Sequence, residues 1–228
     1  AMYYDTKSNN HGLNYNPYKS IVTPRPIGWI STLSRDGVAN LAPYSQFNNL
    51  GYDPPYVMFS AGSNPGDGRR KDSVLNATES GEFVCNLATY DLRHHVEKSS
   101  HYVDPEVDEF EYAGLTKEPS EMVRAPRVAE SPVHLECRFV QSVVLPGHSI
   151  GNIVHIVIGE VLGVHIRDEF IGEDDKLDML KIRPLARMGY FDYTSVESIF
   201  TMEPADVDAA AMLRAGLGGD AKGKQAAE

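Results

Sequence analysis

The densest group of residues suited to gripping a ligand lies between Pro24 and Asn49. Arg25, Trp29 and Ser31 fall in the run Pro24-Arg25-Pro26-Ile27-Gly28-Trp29-Ile30-Ser31-Thr32; Tyr44, Ser45, Gln46, Phe47, Asn48 and Asn49 close a second run that begins at Asn40. Small hydroxyls, amides and aromatics, interrupted by Pro43, stand where a half-buried strand would alternate apolar and polar residues. Pro43 donates no hydrogen bond, so it leaves ladder groups unpaired near the strand end. Unpaired dipoles beside aromatic rings suit a planar molecule with a polar edge. The Ser45 to Asn49 run also reads as an ordinary strand-to-loop transition. Trp29 reads as core or as one wall of such a slot, with core the default.

A second group is cationic. Arg69-Arg70-Lys71-Asp72-Ser73 leads into Val74-Leu75-Asn76-Ala77-Thr78, which reads as a capped helix closed by Gly81. A helix start offers unpaired N–H groups and partial positive charge, and a phosphate placed there gains both dipole and cation contacts. Lys71 and Ser73 are the best-placed ligands, with Arg70 beside them. A solvated basic stretch, with Asp72 or Ser73 serving only as a cap, explains the same residues equally well.

Other chemistries find no support. The chain has eight histidines, but His94 and His95 are adjacent, and His134, His155 and His165 have no partner at ligand spacing. No HExxH or CxxC constellation occurs, so no metal site is expected. Neither a GxSxG elbow nor a Walker phosphate loop is present, and the glycines lack the strand-to-helix context of a dinucleotide fold. No side chain is assigned as a general acid or base.

These residues need a scaffold, and its outline can be read along the chain. Ser34-Arg35-Asp36-Gly37 forms a hairpin turn in which Gly37 takes positive φ. Asp53-Pro54-Pro55 breaks the chain before a third strand, Tyr56 to Ser60. Glu82 to Ala88 reads as a strand, and Asp91 as the cap of a short helix, Leu92 to Ser99. Residues 100–131, with their prolines and the acidic run Asp104 to Glu111, read as a long loop. Val133 to Leu145 and Asn152 to Ile166 form a second hairpin of long Val- and Ile-rich strands around Pro146-Gly147. Leu180 to Tyr193 supplies a last strand or turn, and a short helix is expected near Asp208 to Leu213. Many strands with few short helices favour an antiparallel barrel over a doubly wound sheet.

Composition sets outer bounds. At 228 residues the chain can bury a full core without disulfides or metals. Cys85 and Cys137 sit in strand-like runs and read as buried thiols, which agrees with a reducing compartment. A net charge of −11 argues against a nucleic-acid binder. No apolar run of about 18 residues and no charged-then-apolar leader occurs, so neither a membrane span nor secretion is expected and the default is cytoplasmic.

Taken together and in order, the motifs resemble the flavin reductase-like family of the FMN-binding split-barrel fold. They are the Pro24 to Thr32 run, Ala42-Pro43-Tyr44-Ser45-Gln46-Phe47-Asn48, Asp53-Pro54-Pro55, Lys71-Asp72-Ser73 with Asn76, and Glu82 to Leu87. Glu130-Ser131-Pro132 with Glu136-Cys137, Gly159-Glu160-Val161 and Arg187-Met188-Gly189-Tyr190 complete the series. The resemblance implies a mainly β, six-stranded antiparallel Greek-key split barrel with a few short helices over residues 1–203. Residues 204–228 would be a tail, partly helical or disordered.

It further implies an FMN-binding oxidoreductase, a homodimer that takes hydride from NADH or NADPH and hands reduced flavin or electrons to a partner such as a monooxygenase. An FMN-binding electron carrier without nicotinamide activity is the alternative. The cofactor-binding set it implies is Arg25, Trp29, Ser31, Tyr44, Ser45, Gln46, Phe47, Asn48, Asn49, Ser60, Arg70, Lys71 and Ser73. The cofactor performs the redox step in such a scheme, while the protein orients it and tunes its surroundings. His155 does not fall in the register of the family's Gly-Asp-His motif, and reads first as a strand histidine satisfied by a neighbour. If the acidic run of the 100–131 loop covers the flavin, it would repel nicotinamide phosphates and favour a small organic or protein acceptor.

Overall fold

The computed structural model describes residues 1–202. Ala1–Glu197 form one compact unit; of the second, Ser198–Glu228, only the irregular residues 198–202 are described. The expected tail 204–228, with its short helix, lies outside the described residues.

Four short α-helices and three single-turn 3-10 helices accompany twelve strands among the described residues. The main sheet is built from β2 (Gly28–Leu33), β3 (Ala39–Tyr44), β4 (Phe47–Tyr52), β5 (Pro55–Gly62), β6 (Glu82–Leu87), β9 (Val133–Leu145) and β10 (Val154–Ile166). Their order is β3-β2-β6-β9-β10-β5-β4, antiparallel throughout. A three-stranded sheet joins β1 (Arg25–Pro26) to β11 (Leu185–Gly189) and β12 (Asp192–Ser195). The helices are α1 (Asp72–Ser80), α2 (Arg93–Lys98), α3 (Glu109–Ala113) and α4 (Met179–Ile182).

The main sheet has seven strands where six were expected, because Ser45 and Gln46 divide the 39–52 run. β3 and β4 are the two edges of the sheet, yet only those two residues separate them in sequence. A link that short forces the sheet to curl until its edges meet. The seam is packed rather than laddered: Gly28 of β2 lies against the Phe47 ring of β4, and the rings of Tyr44 and Phe59 are 5.2 Å apart. Ser60 N–H donates to the Gln46 carbonyl at 2.9 Å and anchors the link.

Strand alternation sorts the core into two parts. Ile30 joins Phe59, Val74, Phe83 and Cys137 inside the curled sheet, under α1. Ile27 and Trp29, from the opposite face of the same chain segment, join Leu41, Val96, Phe110 and Leu185. Buried on both sides, β2 carries almost no exposed surface. Cys85 and Cys137 are buried free thiols, and burial pushes the Cys137 thiol up.

Two local expectations need correction. Residues 100–131 are not a bare loop: they contain α3 and the pair β7 (Lys117–Glu118) and β8 (Arg127–Val128). Asp108 caps α3 by accepting from the N–H groups of Phe110 and Glu111, Gly114 ends it at φ 74°, and the buried Phe110 ring anchors it. Asp91 does not cap α2. Leu92 is the N-cap, with no side-chain bond, and Asp91 instead stands 3.9 Å from Arg183.

Candidate functional site

Two cavities meet at the end of β3, sharing Pro43 and Tyr44. The larger, about 780 Å³, is walled by Arg25, Ser45 and Gln46 on one side and by Tyr15, Tyr18, Arg187, Tyr190 and Phe191 on the other. The smaller, about 200 Å³, runs from Tyr44 to the start of α1, past Asn40, Asn64, Lys71, Asp72, Tyr102 and Glu109. Together they have the size and mixed lining of a small-molecule site.

The larger cavity depends on a crossing of distant segments. Ser20 Oγ donates to the Met188 carbonyl at 2.6 Å, which ties the amino-terminal segment to β11. Gly189, at φ 98°, permits the approach: a Cβ there would lie 2.5 Å from the Lys19 carbonyl. Tyr15 and Tyr190 are thereby brought to 5.3 Å between ring centroids. Arg25 donates to the carbonyls of Lys19 at 3.2 Å and Val22 at 2.8 Å, and its Nε reaches Ser45 Oγ at 3.4 Å. Arg187 donates to the Tyr190 carbonyl and the Tyr193 hydroxyl. Two guanidinium groups are therefore fixed by neutral oxygens, and among the described residues no carboxylate is bonded to either.

The smaller cavity is prepared for an acceptor-rich group. Lys71, the N-cap of α1, makes no side-chain capping bond, so the first-turn N–H groups of that helix receive no acceptor from their cap. Lys71 Nζ lies 5.4 Å from the centre of the Tyr102 ring. Asn64 is 7% exposed, and its Oδ1 is buried with no partner among the described residues. Its backbone is fixed by bonds of 2.8 Å from Asn64 N–H to the Arg69 carbonyl and from Gly68 N–H to its own carbonyl. A buried acceptor left unmatched is costly unless a ligand donor meets it.

Beneath that cavity runs a chain of buried polar groups. Ser73 Oγ donates to Asn40 Oδ1 at 2.7 Å and is within hydrogen-bonding reach of the Tyr44 hydroxyl. Asn76 donates to Thr32 Oγ1 at 3.1 Å, and Thr32 to Asn40 Oδ1 at 3.3 Å. Asn40 Nδ2 in turn donates to Glu109 Oε2, which also accepts the Leu41 N–H at 2.5 Å. Burial, helped by the charges of Asp72 and Asp108, pushes the Glu109 carboxyl up to about 7 despite the Leu41 and Asn40 bonds. Burial likewise pushes the Tyr44 hydroxyl well above its ordinary range.

The family described as "Flavin reductase like domain" matches residues 20–186. The chain belongs to the flavin reductase-like family. That membership places it among flavin-linked oxidoreductases. A relative from Aquifex aeolicus is 37% identical over 188 residues, spanning 82% of this chain and 92% of its own length. The crystal structure of nitrilotriacetate monooxygenase component B from Bacillus cereus superposes with a TM-score of 0.81 at 25% identity, covering 89% of this chain and 98% of that one. A Shewanella frigidimarina protein with a split barrel domain gives 0.75 at 23% identity, over 90% and 100%. The curled sheet is that split barrel.

Of the residues the flavin reductase-like resemblance implied, Arg25, Tyr44, Ser45, Gln46 and Lys71 line the joined cavities. Others do not reach them. Trp29 is fully buried in the core and donates from Nε1 to Ser99 Oγ at 2.9 Å, so it is not a wall of the slot. Ser31 is also fully buried, donating to the Pro126 carbonyl at 2.6 Å. The Ser73 hydroxyl is spent within the polar chain. Ser60 is buried in β5. Asn48 and Asn49 are exposed on edge strand β4, and Phe47 packs across the seam. Arg70 turns along α1 to Thr78 Oγ1 at 3.3 Å.

His155 Nε2 is 3.1 Å from Ser63 Oγ, the satisfied strand histidine anticipated above; burial first, and Arg70 second, lower its pKa. Sequence reasoning did not assign Tyr15, Tyr18, Asn40, Asn64, Glu109, Arg187 or Tyr190 to the cofactor-binding set. Asp108 followed by alternating Glu and aromatic residues was a readable helix-start signal for α3, and hence for Glu109.

Proposed function

We propose that the protein is an FMN-dependent oxidoreductase that accepts hydride from NADH or NADPH and passes reduced flavin, or its electrons, to a partner protein such as a monooxygenase. Residues 1–203 form its flavin-binding domain. The observation that carries this reading is the smaller cavity, where an uncapped helix start, Lys71 and the unmatched Asn64 acceptor converge. Lys71 and the first-turn N–H groups of α1 hold the phosphate, and Asn64 Oδ1 accepts from a ribityl hydroxyl. Ser45 and Gln46 would offer hydrogen bonds to the polar edge of the ring in the larger cavity, where Tyr15, Tyr18, Tyr190 and Phe191 supply aromatic surface. Arg25 and Arg187 favour negative charge there.

FMN supplies the two-electron chemistry when bound. The chain's own work is to bind, orient and tune, and no side chain is assigned as an acid or base. The component B likeness supports a partner-dependent role. Homodimerisation is supported by the far half of β9, where Val140, Val143, Val144 and Leu145 are exposed and, among the described residues, the last three pair only with β10. The test is anaerobic absorbance of the FMN-loaded protein before and after stoichiometric NADH, then NADPH. Loss of the visible flavin band supports the reductase and identifies the donor. An unchanged band on protein that holds FMN moves the reading to an electron carrier, and failure to hold FMN rejects both.

A further inference from the structure

Glu109 is a buried carboxyl, 7% exposed, in the wall of the cavity that Lys71 and the start of α1 share. It arrives on α3, and residues 99–103, shortly before that helix, line the same cavity. Both of its hydrogen bonds fall on Oε2, from Asn40 Nδ2 and Leu41 N–H, which leaves Oε1 to carry a proton.

We propose that Glu109 determines how tightly the site holds a phosphorylated flavin: the neutral acid admits the phosphate beside Lys71, and the ionised carboxylate opposes it. This rests on the reading of the smaller cavity as the phosphate end of an FMN site.

The surrounding charges leave Glu109 in that position. On its own helix, Asp108 and Glu111 are both engaged by Lys117, Asp108 in a short ion pair and Glu111 at 3.6 Å. From α2, His95 bonds the Ala113 carbonyl at 2.9 Å and Lys98 lies 5.3 Å from the Tyr112 ring centre. His101, beyond α2, is held between Glu97 at 2.9 Å and the Tyr112 hydroxyl at 3.0 Å. β3 contributes the Tyr44 hydroxyl, neutral at any physiological pH. From α1 come Lys71 and Asp72 alone.

The phosphate end is thus bordered by Lys71, Asp72, His101 and one buried carboxyl whose charge is open to choice. With Glu109 neutral, Lys71 and the helix start outweigh Asp72. With Glu109 ionised, two carboxylates face one lysine, and a phosphate dianion meets repulsion in a poorly solvated place. Linkage fixes the sign: phosphate binding favours the protonated acid, so affinity falls as pH rises through the range where free Glu109 ionises, near 7.

The experiment titrates wild-type protein and Glu109→Gln with FMN and with riboflavin, by flavin fluorescence, at pH 6, 7 and 8 and fixed ionic strength. Gln keeps the acceptor for Asn40 and Leu41 but no charge. The expected result is that wild-type Kd for FMN rises, relative to the variant, by up to about tenfold from pH 6 to pH 8, the limit for one linked proton with its midpoint at about 7. Riboflavin, without a phosphate, is expected to give parallel curves. Parallel FMN curves for the two proteins overturn the proposal and leave the flavin site standing; any pH dependence they share does not come from Glu109. Folded wild-type protein that binds neither flavin overturns the site reading, and this inference with it. Calorimetry on the wild type alone, in two buffers of different ionisation enthalpy above pH 7, guards against a variant that misfolds. Net proton uptake on FMN binding is expected, and zero uptake overturns the proposal.

Discussion

Gly28 on β2 lies so close to Phe47 on β4 that a Cβ at position 28 would stand 2.5 Å from Phe47 Cδ2. This contact crosses the seam where the sheet edges meet without a ladder, immediately beside the Ser45 to Gln46 link that lines the larger cavity. Gly28→Ala must displace the ring, and is expected to destabilise the fold by about 1–3 kcal/mol. Phe47→Ala removes the obstacle, so the Gly28→Ala cost should shrink in that background. Urea unfolding of the four proteins in the cycle measures the coupling. Strictly additive costs would falsify the packed seam.

Lys71 is the cation nearest the uncapped start of α1 within the smaller cavity. A charged hydrogen bond to phosphate is worth about 1.5–3 kcal/mol, so Lys71→Met should weaken FMN binding by roughly ten- to a hundredfold. Riboflavin binding should change far less. Equal losses for both flavins would place the phosphate elsewhere.

Asn64 Oδ1 is the one buried side-chain acceptor left unmatched in the wall of that cavity among the described residues. Relieving an unsatisfied buried acceptor offsets lost packing, so Asn64→Ala should leave the ligand-free protein within about 1 kcal/mol of wild type, or above it. The same substitution removes a ligand contact, so the rise in melting temperature on adding FMN should be smaller in the variant. Thermal melts with and without FMN give both numbers. A variant that loses stability without ligand yet gains as much as wild type from FMN would assign Asn64 to the scaffold alone.

The parts of this molecule that were legible in its sequence are those set by local chemistry. Gly37 and Gly81 do adopt positive φ where the turn and the helix end were expected. The long hairpin of β9 and β10 follows its Val and Ile residues. Trp29 was ambiguous because alternation marks the face of a strand but cannot say whether both faces are covered; in β2 both are. Arg187 and Tyr190 were read only as a family motif. Their place in the cavity depends on β1 pairing with β11, which sets Arg25 opposite Arg187 across 162 residues of chain. Glu109 was hidden by its neighbours: it lay within an acidic run read as loop, and its burial and its bonds to Asn40 and Leu41 show that α3 turns that carboxyl inward.

His134 supplies a stability test independent of any flavin. It is 3% exposed, its Nε2 lies 2.8 Å from the Val128 carbonyl, and Arg127 stands beside it. Burial, joined by the Arg127 and His165 charges, lowers its pKa to about 4, although the Val128 bond acts the other way. In the unfolded chain the imidazole takes up its proton near its ordinary value of about 6.5. Between those values the unfolded state binds more protons than the folded one, so stability is full above about 6.5 and falls as pH drops toward about 4. The loss from this group should approach roughly 3 kcal/mol at the lower limit. Glu109 slopes oppositely: its raised carboxyl makes the folded state the better proton binder, and stability falls as pH rises from its unfolded value, near 4.5, through about 7. His134→Gln should flatten the acid limb and Glu109→Gln the neutral limb. Denaturant midpoints at half-unit pH steps resolve the two, and an acid limb unchanged in His134→Gln would show that another group governs it.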